Sequence, residues 1–567
     1  MTEKVIILGG GVAGLSAAHE LVERGFDVTI YEAKPILGGK ARSVPVFGTG
    51  MLGRKDLPGE HGFRFFPHFY KHVIDTMKRI PHEDETVYDH LVSATEMGIA
   101  RFDQPVVPFS LGFPKSFFHL KRNLNSLLKT NWGLTDAERD LFIDKIWQIM
   151  TSCLERRNVE YEGMSWWEFL EAEEQSEDFR RVFAGVTRSL VAANAKEASM
   201  KTIGNVLSQL LLDFISPLTD PDRLLNGPTN DVWIGPWLRY LQGRGVKIVQ
   251  NAQCIKIQCE GGRIGNVLIL QDGGVSTVKG DYYLSALPVE GMEKLLTDEM
   301  IQIDPSLKGI RKLKESLNWM NGIQFFLRED IPILHGHILC QDTPWALTMI
   351  SQSQFWPADI TNYGDGNVKG ILSVCISDWN TPGIIYRKKA SECTRDEIKE
   401  EVWAQLKRSL NAEESILNDD VLHSWFLDPD LLFGKSGITN GSPLLINEVD
   451  TWRLRPEATT EISNLFLASD YVRTNTDLAS MEAANEAARR AVNGILSVSR
   501  SEEPKCDIWE MYEFELFTPW HLVDSKRYRR NLPWDGKYSM LRRMLKMIQL
   551  LMRQTAYNRK IKATHVQ

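Results

Sequence analysis

Three glycines, Gly9, Gly11 and Gly14, follow directly on the continuous apolar run Val5-Ile6-Ile7-Leu8. A short apolar run closed by glycine is the pattern of a strand buried on both faces of a parallel sheet. Beyond Val12, apolar residues recur at Leu15, Ala18, Leu21 and Val22, which is helical spacing, and Gly25 stops the helix. Asp27 to Tyr31 then reads as a second strand, ending at Glu32. This βαβ unit commits the chain to an α/β architecture with a Rossmann-like dinucleotide site at its first turn. Gly9 permits the tight turn, Gly11 lets the backbone approach a pyrophosphate, and Gly14 lets helix and strand pack closely. The first-turn N–H groups around Ala13 and the helix dipole face the phosphates. Glu32 stands where a carboxylate can accept the ribose hydroxyls of an adenosine.

The rest of the composition narrows the class. With 567 residues, 43% hydrophobic and 25% charged, the chain is an ordinary globular protein of several domains. Its seven cysteines are scattered and form no CxxC pair, so neither a disulfide framework nor a zinc site is expected, and a reducing compartment is. No run of about 18 apolar residues exists to span a bilayer. The N-terminus enters a strand without a basic leader, and the expected location is cytoplasmic. The net charge of -8 is uneven: from His521 to Gln567 twelve Lys/Arg face two acids, which leaves the body acidic. That balance excludes a nucleic-acid-binding body and points to an anionic partner for the tail. In the tail, Leu541, Met544, Leu545, Ile548, Leu551 and Met552 share one helical face, with Arg542, Arg543, Lys546 and Arg553 on another. Such a helix suits peripheral contact with a membrane surface, or docking on the acidic body, or a dimer contact.

Six residues past Glu32 stand Gly38-Gly39-Lys40-Ala41-Arg42. The pair again brings backbone close to phosphate, and Lys40 and Arg42 add positive charge. Here the sequence resembles the large family of FAD flavoproteins that contains amine oxidases and carotenoid desaturases. FAD is therefore the cofactor the resemblance implies, on a GR2-type fold. A glycine-punctuated meander from Gly245 to Pro288 resembles the element in which the backbone at Cys254 meets the adenine. The strand Asn464 to Tyr471 and the helix opening at Leu478-Ala479-Ser480-Met481-Glu482-Ala483 resemble the segment that returns to the flavin. By that resemblance Asp470 contacts the ribityl or pyrophosphate region and the Met481 N–H faces the flavin N1/O2 edge.

These last motifs are closest to plant-type phytoene and ζ-carotene desaturases, with hydroxysqualene dehydroxylases as a related branch. Glu60-His61-Gly62-Phe63-Arg64-Phe65-Phe66 through Tyr70 resembles the desaturases' loop over the flavin, which brings Gly62 and Phe63 to the cofactor. Arg64 stands where those enzymes often carry histidine. It is either a catalytic group polarising flavin or substrate, or a structural cation paired with Glu60.

The expected organisation is an FAD domain assembled from residues 1–100, 236–295 and 451–500. It interleaves with an α+β substrate domain from 101–235 and 296–450, and a helical tail, 501–567, follows. Residues from about 100 to 230 read as helical, with capping boxes at Thr135/Glu138 and Ser165/Glu168. Aromatic richness beyond Trp319 suits an apolar tunnel. The resemblance implies an oxidoreductase that moves a hydride from a long apolar isoprenoid to flavin N5, or a redox-neutral isomerase, cyclase or dehydroxylase. An amine oxidase is disfavoured by the segments at Glu60 and Asp470. No second GxGxxG offers a site for NAD(P), so oxygen or a quinone is the expected electron acceptor. No His/Asp dyad or nucleophile elbow stands out.

Overall fold

The computed structural model describes residues 2–111, 132–215, 222–357, 359–435, 437–513 and 515–536. Lys4–Leu8 lies at the centre of a five-stranded parallel sheet between Asp27–Tyr31 and Tyr282–Ser285. Lys247–Val249 and Leu465–Leu467 form its edges. Val5, Ile6 and Ile7 are fully buried, as the apolar run requires. The helix Val12–Glu23 packs on the sheet and against the long helix Met481–Ser499. Chain segments hundreds of residues apart thus build one layer.

The meander is smaller than its glycine punctuation predicts. Only Ala252–Glu260, Arg263–Gln271 and Gly274–Val278 form the three-stranded antiparallel sheet. Lys247–Val249 and Tyr282–Ser285, on either side, join the parallel sheet instead.

A second, seven-stranded mixed sheet runs in the order Leu422–Leu427, Asn321–Leu327, Gly370–Ile376, Thr348–Ser351, Gly336–Cys340, Glu96–Arg101 and Gln104–Ser110. Asn321–Leu327 and Gly370–Ile376 are buried at every position. The helix Arg395–Leu410, opened by a Thr394/Glu397 capping box, sets Ile398, Val402 and Leu406 into the same core. A further set of helices forms its own layer around a separate core. It includes Asp136–Thr151 and Met200–Ile215, and both capping boxes expected from sequence are formed there. The second opens only a single turn, Trp166–Phe169, around which an aromatic cluster packs.

Two stretches read as helical are strands. Gln104–Ser110 is the outer edge of the seven-stranded sheet, where Pro105 and Pro108 cost no ladder partner. Arg223–Leu225 pairs with Leu91–Ser93. The expected boundary at residue 100 falls inside the strand Glu96–Arg101, so the second sheet begins earlier. The helix Gly235–Gly243 packs on Val12–Glu23, so the dinucleotide half resumes slightly before 236. Near the C-terminus, Thr518–Tyr528 packs on Leu154–Val159 through Asp524, which is buried and paired with Arg156. The amphipathic face from Leu541 onward lies outside the described residues. Among those described, no helix is long and apolar enough to cross a membrane.

Candidate active site

A cavity of about 750 Å³ opens at the C-terminal edge of the parallel sheet and extends toward the second sheet and the helix Met200–Ile215. This edge is where α/β sheets bind nucleotides, because strand ends and helix N-termini converge there.

At the sheet edge the wall is mainly backbone. Gly9 turns at φ +102°, and a Cβ on Gly14 would collide with the Gly9 carbonyl oxygen. Gly14 therefore stands behind the cavity and packs the helix onto the strand. Gly11 and Ala13 line the cavity, and no side chain caps the helix that they open. Its orphan N–H groups are left for an anion. Gly39, at φ +57°, faces Gly11 so closely that a Cβ would sit 3.0 Å from the Gly11 Cα. The two glycine turns are stitched together by the Gly38 N–H donating to the Gly10 carbonyl at 2.8 Å.

Glu32 lines the same end. Its Oε2 accepts from the Gly10 N–H at 2.6 Å and its Oε1 from the Lys34 N–H at 2.8 Å. Lys40 lines the cavity while its ammonium donates to the Pro443 carbonyl. Arg42 stands behind the loop, donating to the Gly39 carbonyl at 2.6 Å and reaching both oxygens of Asp430 at 3.2 Å. Burial pushes the Asp430 carboxyl up, but Lys34, Ser442 and Arg42 outweigh it and hold it below the usual carboxylate range. His61, Asp428 and Asp430 have ligand atoms within 4.8 Å of one another. A metal there would compete with Lys34 and Arg42, which already neutralise Asp430.

Further along, Cys254 lines the cavity from the meander, with its thiol pushed by burial to about 11. Asp470 lines it just beyond the strand Leu465–Leu467, and its carbonyl is fixed by Arg455 at 2.6 Å. Met481 opens the long helix, which Ser480 caps through the Ala483 N–H at 3.2 Å. Gly62 and Phe63 line the wall below the second sheet, where a Cβ on Gly62 would come 2.9 Å from Cys375 Sγ.

Arg64 reaches the cavity, yet its guanidinium is engaged. It donates to the Gly62 carbonyl, to Lys40 at 2.8 Å and to Ala41 at 3.3 Å, and lies 3.5 Å from Glu60. Arg64 thus braces the second glycine loop. Glu60 is buried and also accepts from the Thr229 N–H and hydroxyl, each at 3.1 Å. Burial pushes the Glu60 carboxyl up, against the pull of Arg64.

Sequence reading missed several lining groups: Tyr70, Cys375, Glu290, Lys294, and above all His61. His61 Nδ1 lies 2.5 Å from Asp428 Oδ2. A dyad is present after all, from residues too far apart in sequence to form a motif. Toward the helical layer and the second sheet the wall is largely apolar, with Leu190, Ile203, Val206, Leu210 and Met320.

Paired glycine turns, an uncapped helix N-terminus and a carboxylate at the end of the second strand of a parallel sheet define a dinucleotide-binding oxidoreductase fold. Residues 12–496 match the model of the flavin-containing amine oxidoreductases. The chain belongs to that family, and FAD is its cofactor. The residues present fit it: a two-loop glycine cradle for a pyrophosphate, Glu32 for the ribose and an elongated cavity beyond.

Among curated relatives, the 15-cis-phytoene desaturase of Arabidopsis thaliana is 26% identical over 320 residues, covering 55% of this chain and 52% of its own. The ζ-carotene desaturase of Zea mays is 23% identical over 312 residues, 52% of this chain and 51% of that one. The carotenoid phi-ring synthase of Chlorobaculum tepidum is 44% identical over 69 residues, 12% of this chain and 10% of that one. The chain thus spans a tenth to about half the length of these relatives. Among solved structures, putrescine oxidase matches with a TM-score of 0.56 at 14% identity, over 88% of this chain and 99% of that one. An oxidoreductase from Methanosarcina mazei matches equally, with a TM-score of 0.56 at 14% identity over 87% and 100%. These two likenesses concern the fold.

Proposed function

We propose that the protein transforms a long apolar isoprenoid, with desaturation as the leading reaction and oxygen or a quinone as the final electron acceptor. The observation that carries this reading is the apolar wall of Leu190, Ile203, Val206, Leu210 and Met320, continuous with the dinucleotide end of one cavity. Such a surface offers a polyene dispersion contact and excludes water. The phytoene and ζ-carotene desaturases among the relatives agree with a substrate of that kind. Bound FAD supplies the hydride acceptor. Around it, this chain's residues hold the cofactor with Gly11, Gly39 and Glu32, brace the loop with Arg64, and align the substrate by shape.

The membrane part of the reading rests on a patch beside the tail. Leu154 (60% exposed) and Val159 (64%) adjoin the helix bearing Leu522 (60%) and Val523 (52%), with Arg529 and Arg530 just beyond. Exposed apolar tips beside Arg530 and the Glu155-paired Arg529 suit a bilayer surface. Liposome co-sedimentation at low and high salt tests it; binding unchanged in Leu522→Ser/Val523→Ser would sink it.

The main test is an anaerobic titration of the FAD-loaded protein with detergent-dispersed phytoene or ζ-carotene, following the oxidised-flavin band and the extracted lipid. Bleaching with a new double bond supports desaturation. Product without bleaching, formed only after prior flavin reduction, favours the redox-neutral alternative. Amine-driven bleaching with no response to any polyene overturns the reading.

A further inference from the structure

Arg64, Tyr70 and Cys375, in the same cavity wall, are poorly suited to take up a proton at neutral pH. Arg64 is a cation bonded to backbone carbonyls. Tyr70, bonded to Ser480, is pushed up by burial, and the Cys375 thiol is pushed by burial to about 11. His61 differs in its setting. It follows the strand Leu57–Glu60, lines the cavity, and its ring is 17% exposed. Nδ1 makes an ion-pair contact with Asp428 Oδ2 at 2.5 Å.

Asp428 is built to hold that ring. It is 1% exposed at the end of the strand Leu422–Leu427. Asn321 Nδ2 donates to its Oδ2 at 2.6 Å and the Asp430 N–H to its Oδ1 at 3.0 Å. Asn321 is itself fully buried and accepts from Asn440 Nδ2 at 2.8 Å. Burial pushes the Asp428 carboxyl up, yet His61 and Asn321 overcome this and keep it ionised below the usual range. A fixed carboxylate beside one imidazole nitrogen orients the ring. The arrangement Asn440–Asn321–Asp428–His61 joins three separate chain segments into one relay ending at the cavity.

We propose that His61 is a catalytic proton acceptor, with Asp428 as its positioning residue. The inference rests on the isoprenoid reading above. Two C–H bonds of adjacent substrate carbons break. Bound FAD would take one as hydride, with its electron pair; the other would give its proton to His61 Nε2, its electron pair becoming the new π bond. The imidazolium formed is balanced by Asp428. In a redox-neutral reaction the same nitrogen removes and returns a proton with no net electron transfer.

The test compares FAD-loaded wild type, His61→Gln and Asp428→Asn. The glutamine amide can still donate to Asp428 but takes up no proton. FAD affinity and melting temperature are measured first. Anaerobic flavin reduction by detergent-dispersed phytoene or ζ-carotene follows, beside diethyl pyrocarbonate labelling read by peptide mass spectrometry. We expect His61 of the wild type to be labelled and polyene to protect it. His61→Gln should bind FAD within about twofold of wild type and reduce at least ~100-fold more slowly. Asp428→Asn should lose on the order of 10-fold in rate and label more slowly. Wild-type reduction matched by His61→Gln, or a His61 that resists labelling, overturns the proposal and leaves the isoprenoid reading standing. A wild type that no polyene reduces overturns that reading, and the proton-transfer role with it.

Discussion

At the sheet edge the cavity wall is mainly main chain, from two glycine turns and a helix N-terminus within residues 9–40, joined by Glu32, Cys254, Asp470 and Met481. At the other end the wall is side chain, and its members come from the helix Met200–Ile215, the loop after Glu60 and the strands of the second sheet. A phosphate-binding surface needs backbone N–H groups at close approach, which only a local fold can present. A surface for a polyene needs shape and dryness, which any set of apolar side chains can supply once tertiary packing gathers them. The first end should therefore fail through geometry, and the second should change by degrees.

The largest expected effect separates two glycines of the same turn. Gly14→Ala drives a methyl into the Gly9 carbonyl, between two elements that cannot part without unpairing the sheet. We expect no folded holoprotein, as read by soluble yield and circular dichroism. In Gly11→Ala the new Cβ meets Gly39 Cα at 3.6 Å, an ordinary contact, so the chain folds. The methyl then stands where the backbone should meet phosphate, and FAD binds at least ~10-fold more weakly. Equal losses in both variants would dissolve the distinction between packing and ligand glycines.

Arg64 tests which end it serves. As a brace, Arg64→Met strips the loop of its carbonyl contacts and leaves Glu60 buried without its cation, at a cost of ~3–5 kcal/mol. Melting temperature and FAD affinity then fall together. A variant that holds FAD normally and loses only the chemical step would return Arg64 to the catalytic role. A milder change probes the dry end. Val206→Thr keeps the volume and adds one hydroxyl to the apolar wall. Polyene affinity should drop by ~1 kcal/mol, with FAD affinity unchanged; an unaltered polyene affinity would mean that the substrate lies elsewhere.

What was legible from sequence follows the same division. Gly9, Gly11, Gly14 and Glu32 fall within 24 residues, and the chemistry there depends on φ angles and element ends that short patterns encode. Gly38-Gly39 and the Ser480–Met481 helix start were readable for the same reason. Gln104–Ser110 was not, because an apolar run with prolines fits a helix boundary or an edge strand equally until its neighbour Glu96–Arg101 is known. Arg64 was visible, but its carbonyl partners were not. The His61–Asp428 pair was hidden completely, since 367 residues separate its members and only the meeting of two strand ends defines it.

A pH-dependent effect concerns a carboxyl that ties the two ends together. Asp213 sits on the helix Met200–Ile215, which supplies Ile203, Val206 and Leu210 to the apolar wall. It accepts from the backbone N–H groups of His68 and Phe69, in the loop that carries Pro67 and Tyr70 to the same cavity. Burial pushes its carboxyl up to about 7, against the pull of the Phe69 N–H, the Arg223 charge and the His68 N–H. An unfolded chain releases this proton near the ordinary value of 3.8, whereas the folded chain keeps it until about 7. Folding therefore holds an extra proton across that window, and stability falls as pH rises through it, by at most ~1.4 kcal/mol per pH unit. Above about 7 the loss is complete. Asp213→Asn retains an acceptor for one N–H and does not titrate. Relative to wild type it should gain a few degrees in melting temperature between pH 4.5 and pH 8. Other titrating groups cancel in that difference. Melting curves of the two proteins that stay parallel at both pH values would show that the buried carboxyl is ionised throughout, and that the loop and the apolar wall are not coupled through its proton.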